Sequence, residues 1–111
     1  MAERFLYLTT IGRKTGLART IEIWFVERQG KYYMVSQGRE ASHWVQNIAA
    51  EPRVTFSVGT RARTTCERAA TEALGRAISA ADEPALHRDV CALMDEKYDW
   101  SDGLIVELAP V

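Results

Sequence analysis

The residues best suited to chemistry fall into three groups. The first is the turn within Leu8–Arg19, LTTIGRKTGLAR, where Arg13, Lys14 and Arg19 surround a loop with glycines at 12 and 16. Glycine permits positive φ and close backbone approach. Arginine offers a two-pronged donor for phosphate, and N–H groups in such a turn can form an anion nest. The second is Ser36-Gln37-Gly38 followed by His43, Trp44, Gln46 and Asn47. It combines a strand end, a glycine loop and a helix start, a setting that suits an anion or a hydrogen-bonding heterocycle. The third is Lys97–Asp102, KYDWSD. Tyr98 and Trp100 there are either aromatic walls for a flat ligand or caps on a core.

Other chemistries find little support. The turn has neither the Walker pattern nor the dinucleotide fingerprint. The chain has no G-x-S-x-G elbow, and His43 and His87 lack a nucleophile at a telling spacing. No cluster of metal-ligand spacing exists, so no metal is expected. Cys66 and Cys91 are expected to be reduced. Glu22 is the only acid in the segment just after the basic turn. With a net charge of −1, no global field points to nucleic acid or an anionic membrane. No apolar run is long enough to span a bilayer and no signal peptide is evident, so a cytoplasmic protein is expected. At 111 residues the chain is expected to form one domain over 1–111.

The elements that must position these groups are mostly strands. Arg4–Thr10 reads as a first strand and Gly12–Ala18 as the turn. Arg19–Arg28 alternates as one strand, with Ile21, Ile23 and Phe25 on one face and Thr20, Glu22, Trp24 and Val26 on the other. Gln29-Gly30 is a hairpin turn, and Lys31–Ser36 is the return strand. Ser42 can cap a helix beginning at His43, which must stop before Pro52. Arg53–Val58 is a strand, Gly59-Thr60 a turn, and Arg61–Cys66 should pair back. Glu67–Ala77 is ambiguous and is assigned as a broken strand ending near Ser79. Asp82-Glu83-Pro84 opens a longer helix, with Tyr98 and Trp100 in the loop after it and Leu104–Leu108 a last strand. About six strands and two helices suggest a small antiparallel barrel.

Taken in order, LTTIGRKTGLART, GKYYMVSQG, HWVQNIAAEPRV and KYDWSDGLIVEL resemble the deazaflavin-dependent nitroreductase family of flavin/deazaflavin oxidoreductases. The resemblance covers nearly the whole chain. It implies a mainly β (α+β), FMN-binding-like split β-barrel. A barrel of this size leaves apolar sheet surface that a second copy would cover, so a homodimer is expected. The resemblance also implies coenzyme F420, a deazaflavin with a phosphate and a polyglutamate tail, as hydride donor to a flat acceptor such as a quinone, enone or nitroaromatic. Arg13, Lys14 and Arg19 would hold the phosphate and tail, with Thr15, Thr20 and Ile21 beside them. Ser36 and Gln37 would lie near the ring, and His43, Trp44 and Asn47 would close over it. Tyr98 or Trp100 would stand on the substrate side, and a Tyr98 or Ser36 hydroxyl would polarise or protonate the acceptor. FMN is the alternative cofactor on the same fold. A non-enzymatic module for a flavin, haem or lipid-like ligand is the rival. Convergence of Trp24, Trp44 and Trp100 on one cleft would favour a flat-ring binder over a structural protein.

Overall fold

A computed structural model describes residues 4–60 and 70–111. Its strands are β1 (Arg4–Ile11), β2 (Ala18–Ile23), β3 (Val26–Arg28), β4 (Lys31–Ser36), β5 (Arg53–Thr60), β6 (Thr71–Ile78) and β7 (Leu104–Pro110), and its helices α1 (His43–Ala50) and α2 (Pro84–Tyr98). All pairings are antiparallel, in the order β2-β1-β5-β6-β7-β4-β3.

That order closes the sheet. β2 and β3 are its two edges, yet only Trp24 and Phe25 separate them in sequence. A flat sheet would place the edges roughly 29 Å apart, six steps of about 4.8 Å. Three Cα steps from Ile23 to Val26 reach at most about 11 Å. The sheet must therefore curl until its edges nearly meet, which is a split barrel. The same constraint corrects the expected single strand over Arg19–Arg28. Ile23 pairs with Leu6 on β1, whereas Val26 pairs with Tyr33 on β4. The chain cannot serve both neighbours without leaving the ladder at Trp24-Phe25. Seven strands result among the described residues, where about six were expected.

Strand alternation sorts the apolar residues onto two sides. Inside the barrel lie Leu6, Leu8, Phe25, Met34, Phe56, Val106 and Leu108, plugged by Val45 and Ile48 of α1. On the other face of β4 and β7, Tyr33, Val35 and Ile105 pack with Ile78 against Val90 and Met94 of α2. Each fully buried aliphatic side chain is worth about 1.5–3 kcal/mol, so α2 docks mainly through that patch.

The hairpin turn is as expected: Gln29 and Gly30 both take positive φ, 52° and 78°. α1 starts at His43 and ends before Pro52, also as expected. Ser42 occupies the cap position but its side chain makes no capping bond. Its hydroxyl lies 2.7 Å from that of Ser36 instead. The ambiguous segment is strand over Thr71–Ile78. Tyr98 is the last residue of α2, not a loop residue, and the helix stops at Asp99 with φ 56°. Arg61–Cys66 lies outside the described residues, while Cys91 is a free thiol. No described helix is long and apolar enough to cross a membrane.

Candidate functional site

The basic turn is held from two sides. Within it, the Gly12 N–H donates to the Leu17 carbonyl and the Gly16 N–H to the Gly12 carbonyl, both at 2.8 Å. Gly16 sits at φ 72°, where a side chain would be strained. From outside, Asn47 of α1 latches it. Asn47 Oδ1 accepts from the Arg13 backbone N–H at 3.2 Å and from Arg13 Nη1 at 2.9 Å. Asn47 Nδ2 donates to the buried Thr10 hydroxyl at 3.4 Å. Arg13 Nη2 also approaches His43 Nδ1 at 3.4 Å. Much of Asn47's hydrogen-bonding capacity is thus engaged by the protein.

Beyond this latch lies a cleft of about 620 Å³. Arg13, Lys14, Thr15 and Arg19 of the turn line it, with Ile21, His43, Trp44 and Asn47, and its lining includes no carboxylate. Among the described residues, Lys14 and Arg19 form no ion pair. Uncompensated positive charge with backbone donors nearby is an anion site by composition.

A second cleft of about 760 Å³ adjoins it, and Ser42 and Trp44 line both. Its walls are Trp24, Trp44, Tyr98 and Trp100, and Ser36, Gln37 and Gly38 contribute the polar edge. The three tryptophans do converge, as a flat-ring binder requires. Ser36 is buried, and its hydroxyl lies 3.1 Å from the Arg39 carbonyl, to which it donates. Behind Val35 and Ser36 at the end of β4, Gly103 fits where nothing larger can. A Cβ there would fall on the Ser36 carbonyl oxygen and 2.6 Å from Val35 Cγ1.

A family model for F420H2-dependent quinone reductases matches residues 1–86. The chain belongs to that family. This makes it an F420-dependent reductase with coenzyme F420 as cofactor. No curated protein matches it. Solved structures share the fold: the haem storage protein HutZ from Vibrio cholerae has a TM-score of 0.73 at 18% identity, covering 96% of this chain and 81% of that one. An F420 reductase gives 0.61 at 17% identity, with 96% and 86% covered. An F420-H2 dependent reductase gives 0.55 at 22% identity, with 94% and 92% covered.

In this reductase the expected site residues fall into two sets. Arg13, Lys14, Thr15, Arg19, Ile21, His43, Trp44 and Asn47 gather at the cationic cleft, and Ser36, Gln37 and Tyr98 at the aromatic one. Thr20 is set apart. Its hydroxyl meets that of Thr9 at 2.7 Å on the opposite sheet face, beside a small groove with Tyr7 and Thr55. Glu22 is among the residues lining the aromatic cleft, and its Oε2 accepts from the Tyr7 hydroxyl at 3.0 Å. The Tyr98 hydroxyl differs from expectation too. It donates to the Phe25 carbonyl at 3.0 Å and accepts from the Phe25 N–H at 3.1 Å. A proton that already serves a backbone carbonyl is poorly placed to reach an acceptor. Sequence reasoning missed Trp24's partner: its ring stacks on Tyr98 at 4.4 Å and 2°. Lys97, whose Nζ donates to the Phe25 carbonyl at 2.8 Å, was missed as well. The sequence marked Lys97–Asp102 as a group, but spacing along the chain could not name a partner on another element.

Proposed function

We propose that this F420-dependent reductase passes reducing equivalents to a planar quinone-like acceptor, with the cofactor's anionic part in the cationic cleft and the acceptor against the tryptophan wall. The observation that carries this reading is the adjacency of the two clefts across Ser42 and Trp44. A phosphate with an acidic tail fits the first, which has cations and no carboxylate. A flat ring fits the second.

Reduced F420, when bound, supplies a hydride. The chain's own residues bind, orient and screen. Lys14 and Arg19 neutralise the phosphate and tail. Arg13 shares that task while Asn47 fixes its direction. The indoles of Trp24, Trp44 and Trp100 narrow the orientations open to a flat acceptor. Ser36 keeps the turn at Gly38 in place through Arg39 and Ser42. Reduction of a quinone to a hydroquinone takes one hydride and one proton. The aromatic cleft is open to water, so solvent can deliver that proton.

The homodimer belongs to the same proposal. Leu74 of β6 is 47% exposed, and a second copy could cover it; sedimentation velocity reads that association. The cofactor part is tested by titrating F420 into the protein. Saturable binding below about 100 μM, roughly −5.5 kcal/mol, is expected, and Lys14→Ala with Arg19→Ala should weaken it. Unchanged affinity in the double variant would show that the basic turn is a solvated tip.

A further inference from the structure

The break between β2 and β3 exposes a backbone that the fold then takes trouble to hold. Phe25 lies outside both strands, so neither its N–H nor its carbonyl belongs to a ladder. Both are satisfied by the last turn of α2. The Tyr98 hydroxyl accepts from the Phe25 N–H and donates to the Phe25 carbonyl, and that carbonyl also accepts from Lys97 Nζ. Lys97 Nζ further sits 4.0 Å above the Phe25 ring and 5.0 Å from the Tyr98 ring centroid. Two side chains of one helix turn thus fix one residue of a strand break.

The consequence falls on the neighbour, Trp24. Its indole lies parallel to Tyr98 at 4.4 Å, so one face is covered. Trp100 meets it edge-on, at 6.5 Å and 72°. Trp24 is still 39% exposed and lines the aromatic cleft. A buried indole would be explained by packing alone. An exposed one, stacked on one side and pinned through its neighbour's backbone, presents a rigid electron-rich surface. Offset stacking of aromatic rings is favourable beyond the area it buries. Preorganisation adds to affinity by removing the cost of ordering the side chain on binding.

We infer that Trp24 is the stacking platform for a planar quinone-type acceptor, and that Tyr98 and Lys97 are positioning residues that hold it through the backbone of Phe25. This rests on the reductase reading above for its place in catalysis, although the stacking itself needs no cofactor. Tyr98 and Lys97 also lie beyond the residues matched by the family model, which end at 86.

The test uses 2,3-dimethyl-1,4-naphthoquinone, whose substituted ring positions resist attack by the Cys66 and Cys91 thiols. Titration into the protein alone, followed by tryptophan fluorescence, should give saturable quenching. Trp24→Leu should weaken that binding at least tenfold. Tyr98→Phe keeps the stacked ring and removes the two hydroxyl bonds. It should raise the acceptor KM three- to tenfold and shift the tryptophan emission, while the F420 dissociation constant stays the same. If Tyr98→Phe does not fold, Lys97→Met, at an exposed position, should move the acceptor KM in the same direction. Equal quinone affinity in Trp24→Leu would overturn the platform. A lowered Tm in Tyr98→Phe with an unmoved acceptor KM would overturn the positioning role. Quinone stacking on Trp24 without any F420 binding would remove the reductase reading and leave the platform standing. F420 turnover insensitive to Trp24 would do the reverse.

Discussion

The cationic and aromatic clefts meet at Ser42 and Trp44 but are assembled by opposite means. The cationic cleft is built mainly from one local stretch, Gly12–Ile21, braced by a single helix through Asn47. The aromatic cleft takes Trp24 from a strand break, Ser36 from the end of β4, Trp44 from α1, and Tyr98 and Trp100 from the end of α2 and beyond. A local turn can supply charge, because charge acts over several ångströms and tolerates imprecise placement. A flat wall needs ring planes set to within a few degrees, and only packed elements do that. Changes in the two clefts should therefore separate, the first altering affinity with little effect on stability, the second altering both.

The largest separation is expected from Lys14→Ala with Arg19→Ala. Both residues lack ion-pair partners among the described residues, so thermal stability should stay within about 0.5 kcal/mol. F420 affinity should fall roughly a hundredfold, about 2.7 kcal/mol, in a titration of the kind above. Gly103→Ala should do the reverse. Its new Cβ would press on the Ser36 carbonyl and Val35, and overpacking of this kind costs about 1–3 kcal/mol. Denaturant unfolding should show that loss, and the acceptor KM should rise because β4 ends at the aromatic cleft, while F420 binding stays near wild type.

Asn47→Ala sits between these cases. It removes the partner of Arg13 and leaves the Thr10 hydroxyl without its donor. A loss of about 1–2 kcal/mol in stability should accompany a several-fold weakening of F420, with the acceptor KM unmoved. A change in both constants would mean that the latch also shapes the aromatic side.

These contrasts track what the sequence could show. The basic turn was legible because its residues are contiguous and their chemistry is unambiguous. The Gln29-Gly30 hairpin and the end of α1 before Pro52 were legible from turn and proline chemistry. The break at Trp24-Phe25 was not, because apolar and polar residues alternate straight through it; only the competing pairings with β1 and β4 reveal it. The partner of the Tyr98 hydroxyl, 73 residues away, was equally hidden. The Ser42 hydroxyl was assigned to the α1 backbone because local capping is the commonest use of such a residue, whereas the tertiary neighbour Ser36 takes it. Thr20 was grouped with Arg19 by proximity, yet strand alternation turns adjacent residues to opposite faces.

The smallest effects concern pH. Arg76 on β6 holds Glu83, just before α2, at 2.7 and 3.1 Å, and buried Glu107 of β7 at 2.9 Å. The hydrogen bonds from Arg76 keep the Glu83 carboxyl below its ordinary range. A carboxyl depressed in the fold stabilises above its unfolded pKa, and that contribution disappears as pH falls through the folded one. Acid should therefore loosen the anchor of α2, and with it the Trp24–Tyr98 stack, before it disturbs the cationic turn. Tryptophan emission below about pH 4.3, the ordinary glutamate value, should report this, and Glu83→Gln should flatten the response. At the other extreme, burial and the bond to Glu107 push the Tyr33 hydroxyl up to about 12. Its contribution is full below the ordinary tyrosine pKa of about 10 and is lost as pH rises through the folded value, so Tyr33→Phe should flatten the alkaline fall in stability.

The most direct measurement of the two-cleft account is steady-state oxidation of reduced F420 by 2,3-dimethyl-1,4-naphthoquinone, with both substrates varied, in the wild type, the Lys14→Ala/Arg19→Ala variant and Trp24→Leu. The account predicts saturable turnover in the wild type. It predicts that the cation variant raises the KM for F420 tenfold or more and spares that of the quinone, and that Trp24→Leu does the opposite. Absence of turnover in the wild type, or both constants moving together in both variants, would contradict it.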